Sequence, residues 1–182
     1  MKNIVFTILF TVILTGCNKN EELKNNTLRG QKTEMEPGGK SYNPIIPNED
    51  VIVFFQEYLP VSDTNWSGCN FFDNGDKQDK CIIINSVDEF QKSFSCSPDM
   101  LPAIDFKSNT LIIGHFNVSH GGGYITEQEI IVNSGKAVLD ISYGFPRDRI
   151  FTAAITALYY WGIYPKIENK NISMNIIYQG YI

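Results

Sequence analysis

The sequence lacks the short motifs that identify common catalytic classes. Its 182 residues contain no HExxH, GxSxG, GxGxxG or Walker sequence, so metalloprotease, esterase and nucleotide chemistries have no local signature here. It also lacks an internal repeat of about 20–50 residues, which disfavours a solenoid or a propeller. We therefore predict that the protein is not an enzyme. A hydrolase whose site is assembled only in space remains an alternative.

Histidine is scarce, and this argues against a metal centre. The two histidines, His115 and His120, are five positions apart, so on a strand their side chains would point to opposite faces. The carboxylates of residues 73–76 lack the spacing and terminal glutamate of an EF-hand loop. Ser119 precedes His120, but the sequence identifies no acid that could orient the pair. We predict no metal and no cofactor.

Positive charge is not in excess. The chain has 15 lysines and arginines against 20 aspartates and glutamates, a formal charge of −5. A mildly acidic surface repels the phosphate backbone of nucleic acids. We predict no nucleic-acid partner.

Long hydrophobic runs are absent except for one near the beginning of the chain. Residues 4–14 are apolar, a length suited to a secretory signal and short of the ~20 residues that span a bilayer. The run leads into Leu14-Thr15-Gly16-Cys17, which resembles the bacterial lipobox. The resemblance implies a signal peptide over residues 1–16 and palmitate-type acyl chains on Cys17 that hold the protein on membrane lipid.

The resemblance also implies a location and a domain organisation. We expect a lipid-anchored protein of the outer membrane that faces the periplasm or the cell surface, and Glu21-Glu22 resembles the surface-export signal of Bacteroidetes lipoproteins. Residues 17–50 contain few apolar side chains, which predicts a lipidated, flexible tether. Residues 51–182 predict a single β-rich domain.

Three cysteines remain beyond Cys17, in a compartment that favours disulfides. Between Cys69 and Cys81 lies an Asn-Gly turn, and a hairpin centred on it places the two cysteines directly opposite each other. We predict a Cys69–Cys81 disulfide and a free Cys96, with Cys81–Cys96 as the alternative.

The hydrophobic pattern predicts a mainly β fold with one short helix. The helix begins at Ser86, which forms a capping box with Glu89 and places Val87, Phe90 and Phe94 on one face. Residues 151–164 fit a strand or, through their alanines, a helix, and we favour the strand. The fold class is α+β, with a small antiparallel sheet that is sandwich-like or forms a partly open barrel. The predicted strands cover residues 51–58, 81–85, 110–118, 124–132, 136–143, 151–164 and 172–178.

The order of several motifs resembles one small bacterial family. Pro102-Ala103-Ile104-Asp105-Phe106-Lys107 precedes an apolar strand, a Gly-Gly-Gly-Tyr turn follows it, and Pro165-Lys166 closes a later segment. This arrangement is similar to the C-terminal domain of the protease complex subunit PrcB. The resemblance implies a small β-rich domain with an accessory or partner-binding role.

The Gly-rich turn is the candidate binding loop. Glycines supply the positive φ angles that tight turns need, and aromatic neighbours can contact a partner. We predict a non-catalytic protein- or glycan-binding accessory module of the cell envelope. The alternative is a protease inhibitor, because residues 117–124 resemble the Asn-Pro-Thr-Thr-Gly loop of chagasin-like inhibitors. The candidate binding loop consists of His120, Gly121, Gly122, Gly123 and Tyr124.

A second candidate contact surface is the aromatic run Tyr159, Tyr160, Trp161 and Tyr164.

Overall fold

The computed structural model describes residues 27–59, 69, 71, 78–147, 154–167 and 171–182, with only the main chain described for residues 27–29. Three sequence features lie outside these ranges: the lipobox with Cys17, the predicted signal peptide and the predicted turn at residues 73–76.

Within the described ranges the chain forms two sheets and two α-helices. The five-stranded sheet has the order β1-β8-β6-β5-β2, with β1 (Thr27–Arg29), β2 (Lys40–Tyr42), β5 (Tyr124–Asn133), β6 (Lys136–Phe145) and β8 (Ile172–Tyr181). In this sheet β8 runs parallel to both of its neighbours, and the other pairs in both sheets are antiparallel. The three-stranded sheet has the order β3-β4-β7, with β3 (Lys80–Ile84), β4 (Asn109–Val118) and β7 (Thr156–Pro165). The helices are α1 (Glu49–Tyr58) and α2 (Val87–Ser93), and a 3-10 turn covers Pro98–Met100.

The molecule has three layers, with the three-stranded sheet in the middle. Ile112 and Phe116 of β4 pack against the five-stranded sheet, whereas Leu111 and Ile113 belong to a second cluster with the two helices. Burial on both faces explains why this strand is apolar without alternation. The predicted mainly β, sandwich-like α+β fold is confirmed.

Residues 51–58 form helix α1, so the predicted strand there is wrong. The Asn48 side chain accepts a hydrogen bond from the Val51 N–H (3.1 Å), and two acidic residues follow in the first turn. Both features stabilise a helix N-terminus. Val51, Phe54 and Phe55 lie three and four positions apart and are all buried, so helical periodicity outweighed the strand preference of these β-branched and aromatic residues.

Helix α2 confirms the predicted capping motif with two corrections. The Ser86 side chain accepts the Glu89 N–H (3.2 Å), but the Glu89 carboxylate accepts the N–H of Asn85 rather than that of Ser86 (2.7 Å). Phe90 is buried, whereas Val87 is 54% exposed. Val87 therefore does not belong to the packed face.

The other predicted strands are confirmed where the structure describes them. The predicted strands at residues 124–132 and 136–143 correspond to β5 and β6, which form a hairpin with Asn133 opposite Lys136. The two residues between them, Ser134 and Gly135, have φ angles of 46° and 81°, as a tight two-residue hairpin turn requires. In the ambiguous segment, β7 runs from Thr156 onwards, and residues 151–153 lie outside the described ranges.

Part of the predicted tether lies on the five-stranded sheet. Strands β1 and β2 occupy opposite edges, and residues 30–39, which we call the strap, connect them across the outer face of the sheet. Thr33 donates to the buried Asp140 carboxylate through its N–H and its hydroxyl, both at 2.6 Å. Asn175 donates to the same carboxylate (3.1 Å) and to the Gln31 carbonyl (2.9 Å). This part of the predicted tether is folded.

The disulfide joins Cys69 to Cys96, and the buried Cys81 is not part of it. The predicted Cys69–Cys81 bond is therefore wrong. Strand β3 takes β4 as its antiparallel partner, with Cys81 opposite Gly114. Phe71 instead bridges to Phe94 at the end of α2, which brings the preceding cysteine to Cys96.

Candidate functional site

The candidate loop packs onto one end of the molecule, where several strands begin or end. Strand β4 ends just before the loop, β5 begins at Tyr124, and β6 ends at Phe145. The His120 ring meets the Phe145 ring edge to face at 5.9 Å. A Cβ atom at Gly123 would lie 3.0 Å from Phe145 and 3.3 Å from Leu158 of β7. Both sheets therefore contribute to this end.

Large apolar side chains are unusually exposed at this end. Among the described residues, eleven large hydrophobic side chains are exposed, and five of them are near these strand ends, whereas the others are spread over α1, α2 and the connecting segments. Clustered apolar exposure marks contact sites more often than scattered exposure does. The five are Tyr124 (43%), Ile155 (81%), Tyr178 (51%), Tyr181 (54%) and Ile182 (43%).

Four aromatic rings of β6 and β8 form a platform, which we define as Tyr143, Phe145, Tyr178 and Tyr181. Tyr143 and Phe145 are buried and form its floor. The Tyr178 ring contacts both, with centroid distances of 5.3 and 5.9 Å, and the Tyr181 ring lies 6.2 Å from Phe145. These tilted and edge-to-face contacts are favourable aromatic geometries. The two half-exposed rings are therefore supported by packed neighbours.

A β-bulge in β8 brings the two exposed tyrosines to the same face. Residues three apart on a regular strand point to opposite faces. Here Tyr178 is opposite Tyr143 and Tyr181 is opposite Phe145, so β8 contains one extra residue. Gly180 lies in this bulge with a φ of +88°, which favours glycine. The platform depends on this irregularity.

Polar groups surround the platform. The Thr126 hydroxyl donates to the Gln179 side-chain carbonyl (3.2 Å), and the Arg147 Nε donates to the Tyr181 carbonyl (3.2 Å). The Ser119 hydroxyl lies 2.7 Å from Nδ1 of His120. Among the described residues, no carboxylate is hydrogen-bonded to His120. Within these residues the Ser119–His120 pair therefore lacks the acid that orients the histidine of a catalytic triad. The arrangement offers flat apolar rings with hydrogen-bonding groups at their margin.

The three glycines of the loop have different roles. Gly122 has a φ of +86°, as the sequence predicted for this turn. Gly121 and Gly123 are not in the positive-φ region, so the expectation that the glycines of this turn supply positive φ holds only for Gly122. Crowding by Phe145 and Leu158 is what restricts Gly123. Tyr124 begins β5 and is exposed.

The other sequence candidates are used for packing. Tyr160 and Tyr164 of β7 are buried, and Trp161 stacks on Phe55 of α1 with a centroid distance of 4.4 Å. Burial raises the pKa of Tyr164. Tyr159 packs in the helix-side cluster next to the buried His115. In the part of the chain that the structure describes, no three His, Cys, Asp or Glu residues are grouped as a metal site.

Two of the segments that suggested the PrcB-like domain contact each other: one precedes β4 and the other follows β7. The Asp105 carboxylate accepts the Lys107 N–H (3.0 Å), and its pKa is lowered mainly by a hydrogen bond from the Ser108 side chain. Phe106 is buried, and Lys166 donates to its carbonyl (2.7 Å). These contacts explain the motifs as structural elements of the domain.

The segment that resembles the chagasin loop is divided between a strand and a turn. Asn117 and Val118 belong to β4, where the Asn117 N–H donates to the Asp79 carboxylate (2.8 Å) and Val118 is buried. The exposed turn therefore begins only at Ser119.

Sequence patterns alone do not predict the platform. Tyr143 and Tyr178 lie in predicted strands and Tyr181 lies beyond them, but the face that they share depends on the bulge. The available signal was the recurrence of aromatic residues with glycine at the ends of two strands: Tyr-Gly-Phe at residues 143–145 and Tyr-Gln-Gly-Tyr at residues 178–181.

Comparison with known proteins identifies the N-terminal segment. Residues 1–18 match the family model of the prokaryotic membrane lipoprotein lipid attachment site. The protein is a membrane-anchored lipoprotein. No curated protein and no solved structure matches the chain. The PrcB-like domain and the Bacteroidetes assignment have no support from these comparisons. No helix within the described ranges is long and apolar enough to cross a bilayer.

Proposed function

We propose that this lipoprotein is a non-catalytic binding module that presents its aromatic platform to a partner in the cell envelope. The observation that carries the proposal is the clustering of exposed apolar side chains around the candidate loop. Tyrosine is suited to such a surface because its ring is large and rigid and its hydroxyl tolerates water. The partner is a protein or a glycan, and the accessory role is the one that the PrcB-like motifs imply.

The direction of β1 supports a platform that faces away from the membrane. Strand β1 runs parallel to β8, with Thr27 opposite Met174, so Thr27, the described residue nearest to Cys17 in the sequence, lies toward the Ile172 end of β8. Tyr181 lies about 23 Å farther along β8 at the usual strand rise. The segment between Cys17 and Thr27 spans at most ~35 Å. In this arrangement the lipid holds the domain near the bilayer of the outer membrane and leaves the platform accessible from the periplasm or the cell surface.

Site-specific photo-crosslinking in the native cell tests the proposal. Tyr178→p-benzoylphenylalanine retains an aromatic ring and should give a crosslinked adduct on illumination, because a bound partner would lie against this ring. Val87→p-benzoylphenylalanine is the matched control, since Val87 is similarly exposed (54%) but lies on α2. An adduct at position 178 and not at position 87 supports the module. Equal labelling at the two positions, or none at position 178, would contradict it.

A further inference from the structure

We propose that the ligand of the platform is a neutral carbohydrate whose ring faces stack on Tyr178 and Tyr181. This inference rests on the proposed binding function and names the class of its partner. One face of a pyranose ring presents polarised C–H groups, and its edges carry hydroxyls. The faces of aromatic rings are electron-rich and attract such C–H groups.

The size of the platform favours a small ligand over a protein. Tyr178 and Tyr181, the two exposed rings of the platform, are 51% and 54% exposed, so at about 150–250 Å² for a whole aromatic side chain they offer roughly 160–260 Å². A stable protein interface buries about 800 Å² on each partner. The aromatic area is well below that value, and it suits a short oligosaccharide.

The edge of β8 does not favour the main competing ligand, an extended peptide. Strand β1 pairs with β8 only from Met174 to Ile176, so the rest of this edge could in principle accept an added strand. The bulge at Gly180 interrupts that part of the edge, and bulges prevent regular strand addition. The same bulge is what brings the two tyrosines together.

Charge favours a neutral ligand. Without the first 16 residues, which contain one lysine, the protein has a formal charge of −6, so a polyanionic glycan would be repelled. At the platform, the Arg147 Nε donates to the Tyr181 carbonyl, and the remaining N–H groups of this guanidinium can donate to sugar hydroxyls. The Gln179 side chain, which follows Tyr178 in the sequence and accepts a hydrogen bond from Thr126, can exchange hydrogen bonds with sugar hydroxyls.

Calorimetric titration of the full-length lipoprotein in detergent tests this ligand class. The probes are neutral oligomers of N-acetylglucosamine, glucose and mannose, with oligogalacturonate as the anionic counterpart. We expect at least one neutral series to bind and the anionic probe not to bind. Tyr178→Ala should weaken binding by about tenfold or more, whereas Tyr178→Phe, which keeps the ring, should change it by less than about threefold. Val87→Ala should have no effect. Absence of binding by every neutral series would overturn the inference.

Digestion of the crosslinked adduct separates this inference from the proposed function. An adduct at position 178 that is removed by periodate or glycosidases, and that contains no foreign peptide, supports a carbohydrate ligand. An adduct that contains a partner peptide overturns the carbohydrate inference and leaves the binding module intact. The absence of an adduct at position 178 contradicts both proposals.

Discussion

At the scale of single residues, Asp140 is the most consequential polar group of the five-stranded sheet. It is buried, and its carboxylate accepts two hydrogen bonds from Thr33 and one from Asn175. A buried carboxylate without such partners would be strongly destabilising. The two bonds from Thr33 attach the strap to the centre of the sheet, and Asn175 adds a third attachment through its bond to the Gln31 carbonyl.

Asp140→Ala should lower the free energy of unfolding by about 2–4 kcal/mol, because it leaves the Thr33 and Asn175 donors without their acceptor. Thr33→Val is the matched control and should cost only about 1 kcal/mol, since the backbone hydrogen bond of residue 33 remains. Urea unfolding monitored by circular dichroism measures both. Equal losses in the two variants would show that the buried carboxylate does not anchor the strap.

Glu129 should make the strap sensitive to acid. Hydrogen bonds from Lys32 and, secondly, from Ser41 hold the pKa of Glu129 below its usual value of 4.5. A carboxyl with a lowered pKa in the folded state stabilises the protein above that usual value, and this contribution is lost as the pH falls through the folded pKa. We therefore expect the urea midpoint to decrease below pH 4.5.

Glu129→Gln should reduce this decrease, because the glutamine side chain does not titrate. Glu127→Gln is the matched control, since Glu127 lies farther from the same Lys32 ammonium (3.8 Å against 2.8 Å) and is more exposed. Urea titrations at neutral and acidic pH measure the effect. An unchanged acid dependence in Glu129→Gln would refute this interpretation.

The turn glycine Gly122 provides a third test at this scale. Its φ of +86° is unfavourable for side chains with a Cβ, so Gly122→Val should cost about 1–3 kcal/mol through backbone strain. Gly121→Val is the control, because the φ of Gly121 is not positive. Thermal unfolding compares the two variants, and a larger loss at Gly121 would contradict the assigned conformation.

At the scale of secondary-structure elements, the disulfide fixes residue 69 to the segment after α2. Phe54 and Phe55 of α1 and Phe90 of α2 pack together on the middle sheet, and Cys69 is fully buried in this cluster. The bond encloses a sequence separation of 27 residues. It therefore restricts the unfolded chain as well as the packed helices.

Replacing both cysteines, Cys69→Ser with Cys96→Ser, should lower the free energy of unfolding by about 3.5 kcal/mol in the chain-entropy model. Peptide mapping of the non-reduced protein should show a peptide that joins Cys69 to Cys96, with Cys81 unmodified. Cys81→Ser tests the assignment, because it should leave that peptide unchanged. A peptide that joins Cys81 to either other cysteine would contradict the pairing.

At the scale of the whole molecule, the lipid determines where the domain acts. The acyl chains on Cys17 supply the membrane affinity, since a lipid-anchored protein with two or more chains is held stably. Cys17→Ser should shift the protein from the membrane fraction to a soluble or unprocessed form and abolish incorporation of labelled palmitate. Asn18→Ser is the control and should leave both unchanged. Palmitate incorporation in Cys17→Ser would show that the lipid is attached elsewhere.

The sequence alone determined the features that depend on near neighbours. The lipobox is four consecutive residues, and the α2 cap joins Ser86 to a residue three positions away. The hairpin turn at Ser134 and Gly135 depends on the φ angles of adjacent residues. Strand positions followed from apolar runs, because the period of a strand is two residues. Such interactions need no knowledge of the rest of the fold.

Tertiary structure decided the features that depend on which distant segments meet. Cys69 pairs with Cys96 at a separation of 27 residues, and the Asp140 carboxylate accepts hydrogen bonds from Thr33 at a separation of 107 residues. The α1 face is buried only because the middle sheet provides an apolar surface for it. The platform needs the bulge that brings Tyr178 and Tyr181 to one face. A one-residue change of register reverses the faces of a strand, and local sequence cannot fix that register because the energy that selects it comes from packing between strands.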